Sequence, residues 1–172
     1  MVLGTRLGNE PIRDWASLEL NGYSPESDLP SYRPKITTQV LGTLTGIGGR
    51  ELRNAALAPS ALPSDWANWH DRLFTYEVRE GVAQLELFAN SEESTLSSPW
   101  PADVVATLSD EFYEMMTLLS ARQIVPTTVF TGVLDGIRNR VLQLALEIER
   151  DVGEGDQAEL SSLGPEAESR LT

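Results

Sequence analysis

The densest grouping of side chains able to do chemistry is Arg138-Asn139-Arg140, close behind Asp135. Arginine forks match the paired oxygens of a carboxylate or a phosphate, so this trio is the candidate binding site for a small anion. The same spacing has a plainer use. Asp135 and Arg138 stand at i and i+3, where opposite charges pair on a helix, and long arginine stems can cover the edge of a core. On a helical wheel Arg138 and Arg140 flank an apolar stripe from opposite sides, and Asn139 points away from it.

Other reactive types are scattered. His70 is the only histidine. Histidine is the usual general base near neutral pH, yet here its sequence neighbours are Trp66, Trp69 and Phe74, which fits a surface or packing role better. Asp110, Glu111 and Glu114 read as a solvated face. The carboxylates form no metal-ligand motif, and the serine-rich stretch Ser91 to Ser98 lacks a nucleophile elbow. Gly46-Ile47-Gly48-Gly49 has no following lysine and reads as a turn rather than a phosphate loop. No catalytic residue, metal ligand or cofactor is therefore assigned. Trp15, Trp66, Trp69 and Trp100 read as core or core-capping residues, with Trp66 and Trp69 able to form an apolar patch for a partner.

The chain's charge restricts its partners. Its 172 residues carry a formal charge of −13, with twelve arginines and a single lysine, Lys35. Binding to phosphate backbones or anionic lipid depends on clustered basic residues, so nucleic acid and membrane are unfavoured partners. Part of the acidity sits late in the chain, at Glu154, Asp156, Glu159, Glu166 and Glu168, against Arg170 alone. No apolar run approaches the roughly 20 residues that cross a bilayer, and no signal peptide is visible. Cysteine is absent, which excludes disulfides and thiolate chemistry. A cytoplasmic location is expected.

Elements able to position these groups follow from periodicity. A helix is expected from about Ile12 to Leu20, with Ile12, Trp15, Ala16 and Leu20 on one face, Asn9 as N-cap, Pro11 early and Gly22 just past the end. Lys35 to Thr45 reads as a strand. Arg50 to Pro63 reads as irregular. Ser64 caps a short helix from Asp65 to Leu73. Val78, Val82, Leu85 and Ala89 suit a helix, while Phe74, Tyr76 and Val78 allow a strand entering it. Asn90 to Ser98 reads as a polar loop, and Pro99-Trp100-Pro101 opens a helix to about Leu108. Met115 to Val125 fits strand or helix, ending at Pro126.

Thr128 to Arg150 is the clearest helix, with Phe130, Leu134, Ile137, Val141, Leu144, Ala145 and Ile148 in one stripe. Burying that stripe is worth at most about 10 kcal/mol. Gly132 and Gly136 suggest a closely packed neighbour, and Leu142 and Leu146 lie roughly opposite the stripe, which suggests a docked partner or oligomer. The expected fold is α+β: several helices around a small mixed or antiparallel sheet, with a long C-terminal helix. Residues 1-152 form the domain and 153-172 an acidic, disordered tail.

Several segments together carry a resemblance. Trp15 leads into Glu19-Leu20-Asn21-Gly22-Tyr23, followed by Leu29-Pro30-Ser31-Tyr32-Arg33. Physically the first is a helix stop in which Leu20 anchors, Gly22 turns and Tyr23 closes over the turn. Arg6-Leu7-Gly8-Asn9-Glu10 comes before it. Leu62-Pro63, Glu77-Val78-Arg79-Glu80-Gly81-Val82, Pro99-Trp100-Pro101 and the run from Val133 to Glu149 come after. In this order and spacing the chain resembles the AbiTii family over roughly Val2 to Glu149. Trp15, Glu19, Asn21, Gly22, Tyr23, Pro30, Tyr32 and Arg33 are its family-motif residues, expected to be structural. Family members begin their first helix earlier, as expected if Met1 were an internal start.

The resemblance implies a bacterial abortive-infection, phage-defence setting and supplies no catalytic residue. The expectation is a non-enzymatic interaction or sensing module with a protein partner or a homo-oligomeric state. One alternative is a toxin enzyme, a nuclease or hydrolase, in which His70, Glu77, Arg79, Arg138 and Arg140 would converge. Another is a receptor for a small anionic or nucleotide signal at Arg138 and Arg140.

Overall fold

A computed structural model describes the backbone of residues 10–162 and the side chains of residues 11–150. Asn9 and the Arg6-Leu7-Gly8-Asn9 stretch lie outside the described residues, as does the end of the acidic tail. The chain divides into two compact units, Met1–Leu134 and Asp135–Thr172.

The fold is α+β, with antiparallel sheets and a long C-terminal helix, as the residue pattern indicates. Helix α1 covers Glu10–Asn21. It stops because Gly22 takes φ +90° and donates its N–H to the Leu18 carbonyl at 2.8 Å. Strands β1 (Lys35–Thr37) and β2 (Gln39–Gly46) follow. The single strand expected here is broken at Thr38, which is buried. Its N–H and hydroxyl both donate to the Phe74 carbonyl, at 2.8 and 3.2 Å. That switch lets β1 pair with β4 (Thr75–Glu77) while β2 joins a second sheet.

The second sheet has the order β3-β2-β6-β5 and is antiparallel throughout, with β3 at Glu51–Ala56, β5 at Thr95–Pro99 and β6 at Met116–Pro126. Strands β3 and β5 correct the irregular and loop readings of Arg50 to Pro63 and Asn90 to Ser98. Both are edge strands poor in large apolar residues, so their ladders depend on pairing with β2 and β6 rather than on pattern. The open Met115 to Val125 segment resolves as the central strand β6.

Inward residues of this sheet, Val40, Leu44, Ala55, Leu118 and Ala121, join Leu57, Leu73, Phe74, Trp100, Val104, Val105 and Leu108 in one core. Leu73 and Phe74 come from the short helix α2 (His70–Phe74), which follows a 3-10 segment over Ser64–Trp69. Val104 and Val105 come from α4 (Ala102–Thr107). The expected Ser64 cap is not made: Pro63 holds the N-cap position without a side-chain bond. A buried amide braces this core. Gln123 Nε2 donates to the carbonyls of Arg72, Leu73 and Thr75 at 3.3, 3.0 and 2.9 Å, and Trp100 Nε1 donates to Leu73 at 3.1 Å. A second aromatic group forms where Phe130 meets Tyr76 and Phe88, with ring centroids 6.2 and 5.0 Å apart. Phe88 is on α3 (Val82–Ala89).

Helix α5 runs over Thr128–Ser162, beyond Gly153 where the sequence pattern suggested a tail. Along this helix Phe130, Val133, Leu134 and Ile137 are buried, but Val141 is 51% exposed. The expected continuous buried stripe thus ends at Ile137, and its full burial energy is not realised. The expected tight packing at Gly132 is also absent: a Cβ there would meet nothing within 4 Å.

Candidate functional site

The strongest concentration of chemistry is buried and lies at the end of α1. Glu19 is 3% exposed and Arg33 is 3% exposed, and Arg33 Nη2 donates to Glu19 Oε2 at 2.6 Å. The other carboxylate oxygen accepts from the hydroxyls of Tyr23 and Tyr32, each at 2.6 Å. Trp15 Nε1 donates to the Tyr32 hydroxyl at 2.7 Å. The Arg33 guanidinium also lies over the Tyr23 ring, 4.7 Å from its centroid. Burial raises the Tyr23 and Tyr32 phenols above their ordinary values, and the bonds to the Glu19 carboxylate raise them further.

Local sequence explains the convergence. Trp15, Glu19 and Tyr23 are spaced by four, so they share one side of the helix and its exit. Leu20, expected to anchor, is instead 53% exposed, and the buried place belongs to Glu19. Asn21 closes the helix through Nδ2 to the Ser17 carbonyl at 2.9 Å. Pro30 starts a turn in which the Arg33 N–H donates to the Pro30 carbonyl at 2.9 Å, bringing Tyr32 and Arg33 back to the carboxylate.

This network grips the segment Glu77 to Val82. Arg33 Nη1 donates to the carbonyls of Val78 and Glu80 at 2.9 and 3.0 Å. In return Arg79 Nη1 donates to the carbonyls of Ser24 and Ser27, the latter at 2.9 Å, while its Nε holds Glu77 at 2.9 Å. Each segment thus sends one arginine to bind the other's backbone. The backbones touch as well: Tyr23 N–H donates to the Arg79 carbonyl at 2.8 Å. A Cβ on Gly22 would lie 2.8 Å from that same carbonyl, and one on Gly81 would strike the Leu20 carbonyl. Tyr76 donates to the Glu80 carboxylate, and burial first, then that bond, raises its phenol.

Two depressions border this region. One, of about 460 Å³, is lined by Asn21 to Ser24, Arg79 to Gly81 and Gln84. The other, of about 230 Å³, is lined by Lys35, Asp71, Arg72, Thr75, Glu77 and Arg79. Its charges neutralise one another. Lys35 Nζ reaches Asp71 at 2.9 Å and Glu77 at 3.8 Å, and Arg79 holds Glu77 at 2.7 Å. The hydrogen bond from Lys35 keeps the Asp71 carboxyl below its ordinary value and raises the lysine. Such a carboxylate is a poor proton donor near neutral pH. His70 Nδ1 lies 3.6 Å from Asp71 Oδ1, and its ring sits 5.6 Å from that of Phe74.

All eight motif residues therefore lie in one region, at the end of α1 and the turn that follows it. The anion-site candidates belong to the other unit, Asp135–Thr172. Arg138 Nη1 donates to Asp135 at 2.8 Å, with both side chains at least 60% exposed, and Asn139 and Arg140 are exposed. The pairing at i, i+3 is the plainer of the two readings of these residues. Sequence reasoning missed the burial of Glu19 and the buried amide of Gln123. Their signal was positional: Glu19 follows Trp15 by one helical turn, and Gln123 shares the strand face of Ala121 and Val125. Among the described residues no group of three or more histidines or carboxylates is placed to hold a metal. No helix among them is long and apolar enough to cross a membrane.

The fold and the buried motif define a small α+β domain whose charged residues hold its own segments together. The chain belongs to the AbiTii family, whose model matches residues 1–171. Membership places it in a bacterial abortive-infection, phage-defence setting and brings no positive evidence of catalysis. No curated protein and no solved structure matches the chain.

Proposed function

We propose that this chain is a non-enzymatic interaction or sensing module of bacterial phage defence, acting in the cytoplasm through protein–protein contacts or self-association. One observation carries the reading. Within the unit Asp135–Thr172, helix α5 leaves Val141, Leu142 and Leu146 exposed by 51, 59 and 56%. Large aliphatic side chains clustered on an exposed helix favour a partner, because covering them removes apolar surface from water. The toxin and anion-receptor readings gain less support. The acids and bases of the Lys35–Asp71–Glu77–Arg79 cleft are spent on one another, and Arg138, Asn139 and Arg140 all stand exposed on α5.

The test is phage plating on cells carrying the intact system, its deletion, or a Leu142→Asp/Leu146→Asp variant. Both substituted positions are exposed, so thermal stability of the purified variant should stay near that of the parent. The expected result is plating efficiency equal to that of the deletion. Protection at the parental level, with equal protein abundance, would refute the reading.

A further inference from the structure

Resting on the reading of α5 as an interaction surface, we propose that its partner is a second copy of the same helix, docked antiparallel over residues 138–149. Arg138, Val141, Leu142, Ala145, Leu146 and Glu149 recur at i, i+3, i+4, i+7, i+8 and i+11. They therefore share one broad face of α5, on which Leu142 and Leu146 lie beside Val141 and Ala145 rather than opposite them. All six are exposed.

This face is complementary to itself when reversed. Turning a second copy about a two-fold axis between Gln143 and Leu144 places Val141 opposite Leu146 and Leu142 opposite Ala145. Arg138 of each copy then faces Glu149 of the other. The centre is apolar, the small Ala145 gives Leu142 room, and each end carries one opposite-charge pair. A parallel arrangement would instead stack Arg138 on Arg138 and Glu149 on Glu149, which is repulsive. Arg138 is available for the exchange, since its pair with Asp135 is 65% and 60% exposed and such pairs hold weakly. An isologous two-fold contact needs such a patch, in which residue i meets j and j meets i.

The contact covers about 17 Å of helix, so association should be modest. Sedimentation of the full chain at roughly tens of micromolar is then the appropriate measurement. The parent should sediment at twice its 18.9 kDa mass. Arg138→Glu and Glu149→Arg should each weaken the dimer by about tenfold or more, and the double swap in one chain should restore it. A monomeric parent at that concentration would overturn the proposal, as would a dimer indifferent to both single reversals. The two readings separate cleanly. If the parent is monomeric but Leu142→Asp/Leu146→Asp still abolishes phage protection, the interaction module stands and the second copy falls.

Discussion

Glu19 and Arg33, fourteen residues apart in the chain, meet at 2.6 Å with side chains 4% and 0% exposed. Neither charge has water to fall back on. Each is therefore held by what the fold provides: two phenols and a guanidinium for the acid, two backbone carbonyls and an aromatic face for the base.

Removing one partner should be far worse than removing both. Glu19→Gln leaves the Arg33 charge buried without its counter-ion, a defect that costs about 3–5 kcal/mol. A Glu19→Leu/Arg33→Met double variant should lose less than the sum of its single changes. Urea denaturation of the four proteins gives the coupling directly.

The meeting of Gly22 and Gly81 leaves no room for a methyl group. Gly22→Ala combines φ +90° with a Cβ 2.8 Å from the Arg79 carbonyl, and Gly81→Ala drives a Cβ into the Leu20 carbonyl. Each change should lower stability by about 1–3 kcal/mol, through backbone displacement. Thermal melts would read this as a lower midpoint, whereas Gly132→Ala, with open space around it, should be neutral or raise the midpoint.

Stability should also fall at alkaline pH. Tyr23, Tyr32 and Tyr76 are raised in the fold above the ordinary tyrosine value of about 10. Below that value both folded and unfolded chains keep these protons, and the contribution is fully present. Above it the unfolded chain releases them first, so stability drops as pH climbs toward the folded values. Tyrosinate absorbance should then rise together with loss of circular dichroism, rather than ahead of it.

Gln123 offers a neutral counterpart. Its amide serves three carbonyls at the end of α2, so Gln123→Leu strands buried acceptors. The expected loss is about 1–3 kcal/mol in denaturant melts.

The sequence by itself determined the elements whose pattern is locally complete. Gly22 ends α1 because only a residue without Cβ takes that backbone freely. The start of α5 and the family follow from apolar spacing and from the ordered motifs. Its α+β class is readable for the same reason. Tertiary structure alone decided the rest. Strands β3 and β5 exist because β2 and β6 offer ladders, which local pattern does not encode. Glu19 rather than Leu20 is buried because burial of a carboxylate depends on Tyr32 and Arg33 arriving from beyond the turn. How much of α5 is covered is likewise not written in its apolar stripe: Ile137 is buried and Val141 is exposed. An apolar stripe states what a helix can bury, and only the fold determines how much of it is left for a partner.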